Sequence, residues 1–292
     1  MNRICLFVMN QKGLAVVEAV SRKQMNASIA CVVAARDANV RRDFYDEIQT
    51  ACLQEGIPFL DRANAKGLSA DYAIAVGWRW MIRGCQKLIV FHDSLLPRYR
   101  GFAPLPTALI NGDEEVGVTA LFGADEYDRG DIIAQRKLPI QYPVKIQAVV
   151  DGVAALYAEL AVELIEAILA GSRLPACPQD EAAATYSPWR DEEDYHIDWS
   201  HDAAAIKRFI DAVGYPYLGA FSNLDGAPAR ILEAVVETNV KIEQRVPGKV
   251  MFVRDGLPIV ACGTGMLRLL DVRDETGTES LLPLRKFRTR FR

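Results

Sequence analysis

A histidine at the end of an apolar run is the first residue in this sequence that could do chemistry. His92 follows residues 88–91 (LIVF), whose β-branched and aromatic content is typical of a buried strand. Pro97, Gly101 and Pro104 come next and interrupt regular structure, which predicts a loop. Open α/β sheets place their reactive groups where strands end in loops. His92 is therefore a candidate for acid–base chemistry.

A second predicted strand ends in a loop rich in carboxylates. Residues 117–122 (GVTALF) have strand character, and Asp125, Asp128 and Asp131 follow them. A histidine and a carboxylate that come from two strand ends can form an oriented acid–base pair, because the carboxylate fixes the ring while the ring moves a proton. The sequence thus predicts one site built from two separate segments.

These segments resemble the folate-dependent formyltransferase family. The resemblance lies in His92-x-Ser94-Leu95-Leu96-Pro97, in Tyr99-Arg100-Gly101 and in Asp128-x-Gly130-Asp131. It implies transfer of a formyl group from N10-formyltetrahydrofolate, the expected co-substrate, to a primary amine. In that reaction His92 would stabilise the oxyanion at the formyl carbon. Asp128 would orient His92 and assist removal of the amine proton.

Val90 departs from the family pattern, which has asparagine two residues before the histidine. Residues two apart on a strand face the same side, so the family amide would point into the site and donate to the oxyanion. Losing one such donor costs about 3–4 kcal/mol of transition-state stabilisation unless another group replaces it. Protonated His92 and a backbone N–H of residues 94–96 are the candidate replacements. The alternatives are a slow enzyme and a catalytically degenerate folate- or nucleotide-binding protein.

Further ligand contacts are predicted from the same part of the chain. The expected folate contacts are Ser94, Leu95, Leu96, Phe122, Gly123, Ala124 and Asp125. Within this set, residues 122–125 match the family loop whose backbone holds the pterin ring, and Ser94 could instead bond to loop backbone. The expected substrate contacts are Arg98, Arg100 and Trp78. Asp93 is expected to point away from the site and to be solvated. The spacing of histidines and cysteines does not indicate a metal site.

The charge of the chain bears on which class of acceptor molecule is expected. The formal net charge is −4, and the basic residues are dispersed except in the tail 285–292 (RKFRTRFR), which is expected to be solvated or disordered. A protein that holds tRNA normally presents a basic face to the phosphates. The resemblance implies an amine acceptor on a nucleotide-linked amino sugar or on methionyl-tRNA, because the family includes enzymes of both kinds. The charge favours the first, so we expect a nucleotide-linked amino sugar as the acceptor and no nucleic-acid partner. Formylation of methionyl-tRNA is the alternative, and a homodimer is left open.

Composition also indicates the compartment. The sequence is 50% hydrophobic and 25% charged, as in ordinary globular proteins, and its apolar stretches fall short of the ~18–20 residues that span a bilayer. Residues 3–9 are interpreted as a first strand and not as a signal peptide. The six cysteines are scattered singly without a CxxC pair. We expect a cytoplasmic protein without membrane association, disulfides or structural zinc.

The order of predicted elements gives the fold class. Strands at 3–9, 27–34, 72–77 and 88–91 alternate with helices at 14–24 and 44–54, and a long helix covers 148–170. This α/β pattern predicts a Rossmann-like, mostly parallel sheet with helices on both faces, without a dinucleotide-binding GxGxxG turn. Residues 1–170 would form the catalytic domain and 171–186 a linker. In residues 187–292, a helix capped by Ser200 and short strands at 229–236, 248–253, 258–262 and 267–272 predict a small β-barrel. The phrases Ile197-Asp198-Trp199-Ser200 and Pro247-Gly248 resemble the C-terminal domain of the same family, which implies that this barrel is OB-like.

Overall fold

The chain divides into two compact units. The computed structural model describes residues 3–65, 67–83, 85–284 and 286–292. The first unit comprises Met1–Leu105, Glu114–Ile140 and Ala148–Pro188, and the second comprises Pro106–Asp113, Gln141–Gln147 and Trp189–Arg292. Among the described residues, no helix has the length and apolar character needed to cross a membrane.

In the described part of residues 1–188 there are nine strands and four α-helices. The strands are β1 (Ile4–Val8), β2 (Ile29–Ala34), β3 (Phe59–Asp61), β4 (Ala70–Val76), β5 (Cys85–His92), β6 (Arg100–Gly101), β7 (Glu115–Phe122), β8 (Ile132–Pro139) and β9 (Tyr186–Ser187). The helices are α1 (Asn10–Arg22), α2 (Tyr45–Gln54), α3 (Pro104–Asn111) and α4 (Ile146–Leu169). Sequence patterns predicted the long elements to within a few residues, whereas β3, β6 and β9 were not predicted.

The central sheet has the order β3-β2-β1-β4-β5-β7-β8. Its first five strands are parallel, and β7 and β8 run antiparallel to their neighbours, which confirms the predicted mostly parallel sheet. Phe91 packs against Tyr157 of α4 on one face. On the opposite face, Cys5 and Phe7 are covered by residues that lie mainly in loops, namely Leu60, Ala65, Leu68, Trp78 and Ile82. In the described residues of the β3–β4 and β4–β5 connections there is no α-helix, so loops cover this part of the face.

The second unit contains a five-stranded antiparallel sheet. Its strands are β10 (Ala220–Leu224), β11 (Ala227–Glu237), β12 (Val250–Arg254), β13 (Leu257–Ala261) and β14 (Met266–Asp274), in the order β10-β11-β14-β13-β12. Helix α5 (Ala203–Ala212) packs Ile206 and Ile210 into the core of this unit. The predicted cap at Ser200 is wrong, since the Asp202 carboxylate accepts the Ala204 N–H at 2.8 Å.

The basic tail of the chain is not free. Leu224 at the β10 edge bridges to Phe291, and Lys249 next to the β12 edge bridges to Arg290. Phe291 is fully buried. Residues 290 and 291 thus connect the two edge strands and close the sheet toward a barrel, which corrects the expectation of a solvated or disordered tail.

Candidate active site

His92 is the last residue of β5 and is 8% exposed. Because alternate residues of a strand share a face, His92 and Val90 face the same side of the sheet. The antiparallel pairing of β5 with β7 places His92 opposite Thr119 and Val90 opposite Leu121. The aliphatic side chain of Val90, which is half-buried, offers no hydrogen-bond donor to this face.

Both ring nitrogens of His92 have acceptor partners. Nδ1 lies 3.4 Å from Asp128 Oδ1, an ion-pair distance, and Nε2 lies 2.7 Å from the backbone oxygen of Tyr99. A carbonyl oxygen and a carboxylate oxygen only accept hydrogen bonds. Both contacts are therefore satisfied together only when both ring nitrogens carry a hydrogen. The structure thus brings together the two residues that the sequence placed at separate strand ends.

Asp128 reaches His92 from a left-handed backbone conformation. Its φ is 58°, a value that non-glycine residues seldom adopt and that recurs at functional sites. Its Oδ2 accepts a hydrogen bond of 2.9 Å from the Gly101 N–H. Gly130 is required by the same turn, since a Cβ there would lie 1.8 Å from the Phe122 backbone oxygen. The Asp-x-Gly spacing is thus a steric condition for aiming the carboxylate at the histidine.

Residues 177–187, here called the strap, hold the two loops that carry the pair. The Gln179 side chain donates to the backbone oxygens of Asp128 at 2.7 Å and Gly130 at 2.8 Å. Thr185 accepts the Tyr99 N–H through Oγ1 at 2.9 Å, and β9 pairs in parallel with β6. Part of the segment predicted as a linker therefore packs within the first unit and fixes the backbone around the site.

Arg100 supports this strap. It is 1% exposed, and its guanidinium donates to the Gln179 side chain at 2.8 and 3.1 Å and to Glu181 at 2.8 and 2.9 Å. The hydrogen bond to Glu181 raises the pKa of Arg100, and the same contact is the main cause that lowers the pKa of Glu181 to about 2. The predicted role of Arg100 as a substrate contact is wrong, because its donors are used inside the protein.

The loop after His92 is held by internal hydrogen bonds. Ser94 and Leu96 are each 3% exposed. Ser94 Oγ donates to the Arg98 oxygen at 2.6 Å, and the Leu96 N–H donates to Thr119 Oγ1 at 3.1 Å. Gln135 donates to the Leu96 oxygen and to Thr119 Oγ1, both at 2.8 Å. These contacts correct the predicted folate contacts at Ser94 and Leu96 to structural roles. They also exclude the Leu96 N–H as a free oxyanion donor.

The other predicted folate residues are more accessible. Gly123, Ala124 and Asp125 are exposed, while Leu95 and Phe122 are half-buried. The Gly123 N–H donates to the Leu88 oxygen at 2.8 Å, so this loop follows the edge of β5. The exposed backbone keeps residues 122–125 available as the predicted pterin-binding loop.

Trp78 and Arg98 lie in different surroundings. The Trp78 ring packs edge-on against Phe7 and Trp80, with centroids 5.2 and 5.1 Å away, beside a cleft of about 540 Å³. Arg98 is exposed and donates to the Tyr99 hydroxyl at 3.2 Å. Both remain predictions as substrate contacts.

Asp93 points away from His92, as expected, but it is not solvated. Its carboxylate pairs with Lys12 of α1 and accepts a hydrogen bond of 2.5 Å from Tyr157 of α4. Burial acts to raise the pKa of Asp93, but the Lys12 charge and these hydrogen bonds outweigh it and lower the pKa. Burial also raises the pKa of Tyr157 well above its ordinary value. The correction has a physical cause, since the reverse side of β5 is covered by helices that supply polar partners.

Sequence reasoning missed Gln179, Thr119 and Lys12 as supporting residues. Gln179 lies in an irregular Pro-containing segment, Thr119 inside an apolar strand, and Lys12 in the first turn of a helix. Each looks ordinary in its own segment, and only the contacts across the fold reveal its role. Among the described residues, no group of three or more His, Cys, Asp or Glu side chains is placed to hold a metal ion.

Comparisons with known proteins show the family of the chain. The model for Formyl transferase matches residues 60–165, and that for Formyl transferase, C-terminal domain, matches residues 190–282. A methionyl-tRNA formyltransferase of Citrifermentans bemidjiense is 32% identical over 247 residues, which are 78% of this chain and 74% of that protein.

Two solved structures share the fold. An N-formyltransferase from Helicobacter canadensis in complex with folinic acid and dTDP-3-aminofucose has a TM-score of 0.66 at 17% identity, covering 92% of this chain and 98% of that one. HypX from Aquifex aeolicus in complex with tetrahydrofolic acid has a TM-score of 0.63 at 20% identity, covering 94% of this chain and 44% of HypX. The chain thus spans less than half of HypX. Taken with the two family models and the C. bemidjiense relative, the chain belongs to the formyl transferase family, as its motifs predicted.

Proposed function

We propose that this chain transfers the formyl group of N10-formyltetrahydrofolate to the primary amine of a nucleotide-linked amino sugar. The family uses N10-formyltetrahydrofolate as its formyl donor, in agreement with the predicted co-substrate. The observation that carries the proposal is the contact of His92 with Asp128 at the ends of two strands. Acyl transfer to an amine requires a donor to the oxyanion and a base for the amine proton, and such an oriented pair can supply both.

The reaction uses the two residues in different steps. The amine nitrogen attacks the formyl carbon, and a His92 N–H donates to the oxyanion that develops on the formyl oxygen. Because Nε2 already bonds to the Tyr99 carbonyl, the oxyanion would share that hydrogen with Tyr99. Asp128 then takes the proton of the attacking amine and passes it to N10 as the bond between the formyl carbon and N10 breaks. The oxyanion returns to a carbonyl, and tetrahydrofolate leaves with that proton on N10.

The charge of the C-terminal region supports a small acceptor. Residues 189–292 contain 15 lysines and arginines and 16 aspartates and glutamates. Several of these cations are already paired, as in Arg230 with Glu192 and Lys207 with Asp211. A region without excess positive charge gains little from phosphate neutralisation, which supplies much of the affinity for tRNA. The dTDP-3-aminofucose bound by the H. canadensis enzyme is an acceptor of the proposed class.

Formylation of methionyl-tRNA is the second candidate. It is favoured by the sequence relatives, since the C. bemidjiense protein at 32% identity is a methionyl-tRNA formyltransferase. The two candidates share the donor and the pair His92 and Asp128, and they differ only in what carries the amine.

One experiment separates these functions. Purified protein is mixed with N10-formyltetrahydrofolate and, in parallel, with dTDP- and UDP-linked amino sugars or with initiator methionyl-tRNA, and tetrahydrofolate release is followed. We expect turnover with at least one amino sugar. Faster turnover with methionyl-tRNA than with every sugar would establish the second candidate. Folate binding without turnover on any amine would instead identify a degenerate binding protein.

A further inference from the structure

Three aromatic side chains of the first unit are strongly exposed next to the catalytic pair. In the described part of that unit, the exposed aromatic residues are Phe102 at 50%, Tyr127 at 66% and Tyr186 at 67%. Phe102 follows Gly101, whose N–H binds the Asp128 carboxylate, and Tyr127 directly precedes Asp128. Aromatic rings left in water at a reaction centre are characteristic of ligand contacts.

Phe102 and Tyr127 form a pair. Their ring centroids are 6.4 Å apart and their planes are inclined by 50°. A flat ligand ring inserted between two aromatic rings needs about 7 Å between parallel planes, twice the stacking distance. The pair is therefore too close and too tilted to act as a slot. Its outward faces form instead a two-ring surface, here called the aromatic platform.

Tyr186 has a different role. It is the register partner of Arg100 in the β6–β9 pairing, so its backbone is part of the strap. The aromatic platform consists of Phe102 and Tyr127 alone.

We propose that the aromatic platform stacks the nucleobase of the acceptor and so sets the preference of the enzyme for nucleotide-linked amines. This inference rests on the proposed function. Base–aromatic stacking tolerates any base because every base has a π-face. Phe102 follows Gly101, whose N–H binds Asp128, and Tyr127 directly precedes Asp128. A base stacked on these two rings therefore places the rest of the acceptor beside the carboxylate that takes the amine proton. The folate pterin is expected at residues 122–125, which precede Tyr127 in the same β7–β8 connection, so the binding of donor and acceptor must be measured separately.

Calorimetry with dTDP and with folinic acid tests the proposal without requiring turnover. The double variant Phe102→Ala/Tyr127→Ala should bind dTDP about ten- to hundredfold more weakly, since it loses the stacking surface. Its affinity for folinic acid should stay within about twofold. Phe102→Tyr/Tyr127→Phe, which keeps both rings, should restore dTDP binding. Leu53→Ala, which truncates a 70% exposed apolar residue of α2, is the matched control and should leave both affinities unchanged.

The other outcomes contradict the proposal. Unchanged dTDP affinity in the double variant, or no dTDP binding by the wild type at millimolar concentration, would show that the platform does not bind the base. A loss of folinic acid affinity in place of dTDP affinity would assign the rings to the donor. The proposed function is tested separately by measuring tetrahydrofolate release with amino sugars on the same wild-type preparation. Wild-type turnover together with unaltered dTDP binding in the double variant would overturn only the platform.

Discussion

Replacing Asp128 by asparagine keeps the shape of the site and changes the hydrogens on His92. The Gly101 N–H donates to Asp128 Oδ2, so the amide of Asn must place its oxygen there. Its NH2 group then faces His92 Nδ1, where the carboxylate was. A donor at that position requires Nδ1 to accept, while the Tyr99 oxygen keeps the hydrogen on Nε2. Asp128→Asn should therefore hold His92 as the neutral tautomer with hydrogen on Nε2.

The expected loss of kcat depends on which interactions the neutral His92 ring can still make. The Nε2–H donor is retained, but the hydrogen on Nδ1 and the carboxylate that takes the amine proton are both lost. Removing one oxyanion-stabilising group lowers kcat by about 10²–10³-fold, and an Asp→Asn change that imposes the wrong tautomer in a protease triad lowers it by about 10⁴-fold. We expect a loss of about 10³-fold here, with little change in thermal stability, since the amide fills the same space.

Two measurements check this reasoning. Tetrahydrofolate release gives kcat with the acceptor identified from the amino-sugar panel, and ¹⁵N NMR of labelled imidazoles reports which nitrogens of His92 carry hydrogen. Glu126→Gln is the matched control, because it removes one negative charge from the same loop at a side chain that is 69% exposed. Turnover of Asp128→Asn within threefold of wild type would refute the catalytic role. A doubly protonated His92 in that variant would refute the tautomer argument.

Three further predictions concern the surroundings of the pair. Val90→Asn should change kcat by less than threefold if His92 already serves as the oxyanion donor, and a rise of about 100-fold in steady-state turnover would show that no donor is in place. Asp93→Asn leaves the Lys12 ammonium without its carboxylate and should cost about 2–4 kcal/mol in urea unfolding at neutral pH. The Lys12 charge and the hydrogen bonds outweigh burial, so the pKa of Asp93 is lowered in the folded protein. The ionised carboxylate therefore stabilises the fold fully at pH values above the ordinary carboxyl pKa. This stabilisation is lost as the pH falls through the lowered pKa. The wild type should thus lose more stability on acidification than Asp93→Asn, and parallel pH profiles would contradict this. Gln179→Met removes the donors to the Asp128 loop and should cost about 1–3 kcal/mol while lowering kcat more than it raises the donor KM. A variant with reduced stability and wild-type kcat would limit Gln179 to a structural role.

Local sequence was sufficient to predict that His92 and Asp128 lie together and that most of the central sheet is parallel. The strand before His92 is apolar and β-branched, and proline and glycine end it, so the position of the histidine follows from nearby residues. The turn at Asp128 is likewise local, because only glycine fits at Gly130 against the Phe122 oxygen. These features depend on backbone conformation and polarity over a few residues, and both leave a direct pattern in the sequence.

Only the tertiary structure decided the partners of the buried polar side chains. The sequence predicts Arg100 as a substrate contact and Asp93 as a solvated carboxylate, because charged side chains are usually exposed. Their partners lie far away along the chain, with Gln179 79 residues from Arg100 and Lys12 81 residues from Asp93. The burial of a charge depends on whether a distant segment brings a partner to it, which local pattern does not encode. The strap is the same case, since an irregular segment with prolines looks like a linker until the loops it binds are present.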